Sequence, residues 1–330
     1  MYRILIPVVS IVCLPALSLA AEFGSAGQPG PYEFETRLGV WIDEARDSRD
    51  VPWKVFLPTG TVDESPVIVF SPGGGGSRED ASGYLGRHLA SHGFASFHLQ
   101  HPGSDADAIR SLGPPAMLKA IRESNPSLAI LRQQDIRFAV DQIEGMAQGD
   151  LRGRIDPSRM GVEGFSFGAV TTLIAAGQKL PEIGQSVAEP RFRAAFALSP
   201  SPRHGIAAPV LTRHEARDVY DAMLMPIFHF TGTNDGTPAT GTTPQHRQMP
   251  FELINSVDQY LLVLNEAVHA TFGGRDVDYD ASRHRELIKM AAVIFWKAYL
   301  LEDAEALQWL QGQGYKTRVG NQGRFGFKPK

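Results

Sequence analysis

The chain has 330 residues, 32 basic and 36 acidic side chains, a formal charge of −4 and a single cysteine. That length supports one large core or two smaller ones, and the acidic balance argues against a nucleic-acid-binding face. No apolar run of about 18 residues occurs beyond the N-terminus, which argues against a stable membrane span. One cysteine can build neither a disulfide framework nor a multi-cysteine metal site.

The chain opens with Arg3, an apolar stretch from Ile4 to Leu19 and the small-residue triplet Ser18-Leu19-Ala20. These three parts match a secretory signal peptide cleaved after Ala20, so the protein is expected to be exported, to the periplasm or out of the cell. Residues 34–42 and 50–57 alternate apolar and polar side chains and read as strands joined by a polar turn. Pro66-Val67-Ile68-Val69-Phe70 is a continuous apolar run, as a strand buried on both faces requires. A glycine-rich turn follows, then a helix over 84–92 and a strand over 95–99. A long polar stretch leads into a helix over 130–146, a strand over 159–163 and an Ala-rich helix over 167–177. Strands at 194–198, 226–230 and 259–264 and a helix at 282–301 complete the core. Strands alternating with helices predict parallel crossovers, and such sheets carry their functional residues just past the carboxyl ends of strands.

Gly164-Phe165-Ser166-Phe167-Gly168 is a G-x-S-x-G sequence between a strand and a helix. A turn that sharp holds the serine hydroxyl above the sheet, and the flanking glycines remove side chains that would collide with neighbouring backbone. A serine hydroxyl is a weak nucleophile and needs a histidine base oriented by a carboxylate. Asp235 lies past the strand at 226–230 and His269 past the strand at 259–264, giving the order Ser166, Asp235, His269 that this architecture uses. Glu266 and Asp276 are the fallback carboxylates; His246 follows too soon after Asp235, and His284 falls inside the last long helix. The oxyanion is expected to be held by the backbone N–H groups of Gly74, in the turn Ser71-Pro72-Gly73-Gly74-Gly75-Gly76, and of Phe167.

With those stretches in view, the chain resembles the α/β-hydrolase superfamily, and within it the group of platelet-activating-factor acetylhydrolase-like and dienelactone-hydrolase-like proteins, with cutinase-like polyester hydrolases as relatives. The likeness runs over about residues 35–300. It rests on Arg49 to Pro58, Val67 to Gly76, Tyr84 to Phe94, His101-Pro102-Gly103-Ser104-Asp105, Asp135 to Asp141 and the elbow. Dienelactone hydrolases proper carry a cysteine nucleophile where this elbow has Ser166. The resemblance implies an α/β-hydrolase fold with a mostly parallel sheet, helices on both faces and small lid insertions. It also implies a carboxylic ester hydrolase acting through Ser166, Asp235 and His269.

The expected layout is therefore a signal peptide over 1–20, a catalytic domain over 21–302, and a C-terminal helix and basic tail over 303–330. Segments 103–132 and 203–222 are expected to form the lid and acyl pocket. The expected substrate is a small or lipid-like ester with a short acyl group. Amide cleavage, acyl transfer and a non-catalytic binding role on the same scaffold are the alternatives. No cofactor and no metal are expected. Asp276-Val277-Asp278-Tyr279-Asp280 lacks the glycine and terminal glutamate of a calcium loop, and the His88/His92 pair lacks the glutamate of a zinc-protease helix. The tail over 316–330, with Lys316, Arg318, Arg324, Lys328 and Lys330, reads as a solvated, frayed terminus.

Overall fold

The computed structural model describes residues 23–61, 63–77, 82–113, 127–180, 186–202, 210–274 and 281–330. The expected signal peptide, residues 114–126 and 203–209 of the two expected lid segments, and Asp276 lie outside the described residues.

Among the described residues, nine strands form one sheet: β1 Glu33–Asp43, β2 Arg49–Thr59, β3 Ser65–Ser71, β4 Ala95–Leu99, β5 Ile155–Phe165, β6 Phe192–Leu198, β7 Ile227–Asn234, β8 Gln259–Val268 and β9 Gly323–Lys328. The order is β1-β2-β4-β3-β5-β6-β7-β8-β9, parallel from β4 to β8 and antiparallel at both margins. The helices are α1 Gly83–Ser91, α2 Ala106–Leu112, α3 Ser127–Gln148, α4 Phe167–Ala175, α5 Arg213–Val219, α6 Pro244–Leu253, α7 His269–Phe272, α8 Ala281–Leu300, α9 Ala304–Gln311 and α10 Gly314–Val319.

The pleat explains the layers. Side chains alternate across a strand, so Val67 and Val69 of β3 pack into the cluster with Ile136 and Val140 of α3 and Leu173 of α4, whereas Ile68 packs with Leu89 of α1 and Ile294 of α8. α3 to α6 cover one face, and α1 and α8 to α10 cover the other. Each central strand is therefore apolar on both sides, which is why the run from Pro66 to Phe70 is continuous rather than alternating. The eight expected strands and four expected long helices are all present, with ends shifted by a few residues, as at β5, whose strand starts at Ile155.

The frayed C-terminus is not what forms. β9 pairs antiparallel with β8 from Gln259↔Lys328 to Leu264↔Gly323, and Tyr315, Val319 and Phe325 are buried in the core cluster on that side. The physical reason is that β8 would otherwise be a bare apolar edge, and alternating Phe325 and Phe327 can close it. Gly323 permits the approach, because a Cβ there would overlap the carbonyl oxygen of Val263. Two of the basic residues are engaged as well: Lys328 Nζ donates to the Phe251 carbonyl at 2.5 Å, and Arg318 pairs with Glu286 at 2.9 Å.

Candidate active site

β5 ends at Phe165 and α4 starts at Phe167, so Ser166 alone makes the turn, with φ 56° and ψ −113°. A non-glycine residue adopts that backbone only at a cost of roughly 1–3 kcal/mol, which surrounding structure must over-determine. Here it does so by close packing. A Cβ on Gly164 would overlap the Gly168 carbonyl, and one on Gly168 would overlap the Ser71 carbonyl.

The three residues singled out in the sequence meet. Ser166 Oγ lies 2.9 Å from His269 Nε2, and His269 Nδ1 lies 2.9 Å from Asp235 Oδ1. Asp235 is fully buried just past β7, and His269 follows β8 as the first residue of α7. A carboxylate can only accept, so Nδ1 carries the proton and Nε2 presents its lone pair to the serine hydroxyl. Burial and, more weakly, the Arg247 charge push the His269 pKa below its usual 6.5 against the pull of Asp235, so the imidazole is neutral at neutral pH and can take a proton. The centre of the Phe165 ring lies 5.0 Å from that of the imidazole.

Two neighbours were not foreseen in the sequence. Ser199 Oγ donates to Asp235 Oδ2 at 2.7 Å and lies 2.8 Å from His269 Nδ1, and its own backbone sits at φ 57°. It falls immediately after β6, so the strand-end rule that found Asp235 and His269 could have found it. Arg247, on α6, ion-pairs with Asp235 Oδ1 at 2.8 Å and donates to the carbonyls of Asp235 and Ser199 and to Thr237 Oγ1. With Thr231 Oγ1 donating at 2.9 Å, the buried carboxylate is saturated with donors and locked in orientation. Nothing in the spacing of Arg247 marks it.

Gly73, Gly74, Phe165, Ser166, His269 and Gly274 line a cleft of about 460 Å³. That lies within the range of small-molecule sites. Gly74 thus faces the same space as Ser166, and Phe167 opens α4, where the amide lacks an intrahelical acceptor. The fallback Glu266 is exposed beyond β8's core and does not join the cluster; its N–H donates to Thr233 Oγ1 at 2.8 Å. His88 and His92 face the carbonyls of Ala26 and Gln28, at 2.8 and 2.9 Å, and so fasten the N-terminal segment to α1. Among the described residues there is no cluster of His, Cys, Asp and Glu fit to hold a metal ion, and no helix is long and apolar enough to cross a membrane. No protein-family model matches the chain, and no curated protein matches it either.

Proposed function

We propose that the protein is an exported serine hydrolase of α/β-hydrolase fold that cleaves short-chain carboxylic esters through an acyl-enzyme. The observation that carries this reading is the unbroken hydrogen-bonded path Ser166 Oγ–His269 Nε2/Nδ1–Asp235 Oδ1, open to a cleft at the carboxyl ends of parallel strands. The run of parallel strands from β4 to β8, with nucleophile, acid and base placed after β5, β7 and β8, adds to it. His269 Nε2 takes the proton of Ser166 as Oγ attacks the ester carbonyl carbon. The amides of Gly74 and Phe167 receive the developing oxyanion. The imidazolium then protonates the leaving alcohol, and water, deprotonated by His269, releases the acid and restores Ser166.

Hydrolysis of a p-nitrophenyl ester series from acetate to palmitate, by the protein and by Ser166→Ala side by side, tests the reading. Activity that peaks at short acyl chains and falls at least about 10³-fold in the variant is expected. Equal rates for the two proteins would refute the mechanism. A matched amide measured alongside separates esterase from amidase chemistry.

A further inference from the structure

A guanidinium sealed from water is costly unless each donor is used and its charge is balanced. Arg132 of α3, at 1% exposure, is such a group. Its Nε donates to Thr171 Oγ1 at 3.0 Å and its Nη1 to Ser104 Oγ at 2.9 Å. Nη2 donates to Ser71 Oγ at 3.0 Å and to the Pro72 carbonyl. The guanidinium carbon also lies 4.4 Å from the centre of the Phe167 ring.

The carboxylates whose charge favours the guanidinium are Asp135 and Asp105, and a hydrogen-bonded relay leads from it to Asp135. Ser71 Oγ lies 3.0 Å from His101 Nε2, and His101 Nδ1 lies 3.0 Å from Asp135 Oδ2. Burial, with Arg132 next, pushes the His101 pKa down to about 4, so the ring is neutral. Its single proton goes to Asp135, its Nε2 accepts from the Ser71 hydroxyl, and the Ser71 oxygen is left to accept from Arg132. Arg49 and Arg46 hold the far side of Asp135 at 2.8 Å each. The relay repeats the atom order of Ser166, His269 and Asp235, but Ser71, His101 and Asp135 are all fully buried, so it meets no substrate.

What the relay does is placement. Ser71 and Pro72 lead into the glycine turn that holds Gly74. Thr171 Oγ1 donates to the Phe167 carbonyl at 3.1 Å, and the Phe167 ring lies against the guanidinium. Ser104, the third partner, accepts through its carbonyl from the Gly75 N–H at 2.8 Å, tying the same turn a second time. One planar cation therefore touches both segments that supply the oxyanion donors. We infer, on the serine-hydrolase reading above, that Arg132 is a positioning residue for ester hydrolysis, setting the separation between the Gly74 and Phe167 amides.

The test compares the wild-type protein with Arg132→Met and Thr171→Val on p-nitrophenyl acetate. The fraction of competent sites is counted by the end point of fluorophosphonate labelling. An aryl trifluoromethyl ketone, which forms a hemiketal oxyanion on the serine, serves as the transition-state probe. Per labelled site, Arg132→Met is expected to lose about 10²-fold in kcat with KM changed less than about threefold, as when an oxyanion donor is lost. The ketone should bind more weakly by a similar factor, and the acid limb of kcat/KM should stay in place because the His269–Asp235 pair is untouched. Thr171→Val, which removes one acceptor and keeps volume, should show the same pattern at about a tenth of the size and covers the case in which Arg132→Met does not fold. Unchanged kcat per site in the folded variants overturns the inference. So does a kcat loss with ketone affinity intact, or one accompanied by a moving pH limb. Wild-type activity that survives Ser166→Ala would instead overturn the serine-hydrolase reading, and this inference with it.

Discussion

Replacing Glu163 by Gln should make the protein more stable at neutral and mildly alkaline pH, by an amount that grows with pH. Glu163 sits near the carboxyl end of β5, in register with Phe70 of β3 and Phe196 of β6, and is 1% exposed. Its Oε2 finds no hydrogen-bond partner among the described residues. Burial raises its pKa from 4.5 to about 8, with only the Trp296 indole favouring the charged form. Below the unfolded pKa both states carry the proton and the side chain costs nothing by titration. As pH rises toward the folded pKa, the unfolded chain ionises while the folded protein does not, and stability is lost. The loss grows from about 1 kcal/mol at pH 5 to roughly 4 kcal/mol at pH 8. Glutamine keeps the shape of the protonated acid and does not titrate. Urea unfolding of both proteins at pH 5, 6, 7 and 8 should give free energies that diverge by several kcal/mol, with the variant higher. Two curves running parallel over that range would mean that Glu163 is not held protonated and that the reasoning fails.

Asp235→Asn should lower kcat by about 10³–10⁴-fold, because the amide no longer selects the productive histidine tautomer, and should lower the melting temperature as well, because Arg247 loses its buried counter-charge; steady-state kinetics with p-nitrophenyl acetate and thermal unfolding measure the two. The acid limb of kcat/KM should fall below pH 6.5, since burial and Arg247 both disfavour the imidazolium of His269. Arg247→Met removes the nearby cation and should move that limb upward, whereas Arg247→Lys should hold it near the wild-type position; a pH–rate profile of each decides. Deleting residues 323–330 strips the partner from β8 and should lower the melting temperature by several degrees and promote aggregation, read by thermal unfolding with light scattering.

The sheet and the three side chains that meet at its strand ends were legible because the signals are local. A strand covered on both faces must be apolar throughout, so Val67 to Phe70 announces itself. The elbow must pair glycine with serine at a set spacing, because Gly168 lies against the Ser71 carbonyl and Gly164 against the Gly168 carbonyl. Asp235 and His269 follow from the rule that strand ends carry the chemistry. The basic tail misled because Lys328 and Arg324 dominate its composition, while the strand is decided by Phe325 and by an open edge more than fifty residues earlier in the chain.

The amino-acid order thus determined the layers and the positions of Ser166, Asp235 and His269, since each rests on a periodicity or a backbone constraint contained within some ten residues. Only the tertiary structure decided how the charges are placed. Arg247 meets Asp235, and Arg132 meets Ser71, Pro72, Ser104 and Thr171, across separations that no spacing encodes. The reason is that a buried cation is held by whichever acceptors the folded chain brings within about 3 Å, and those come from loops and helices that share nothing but their position beneath the same strand ends.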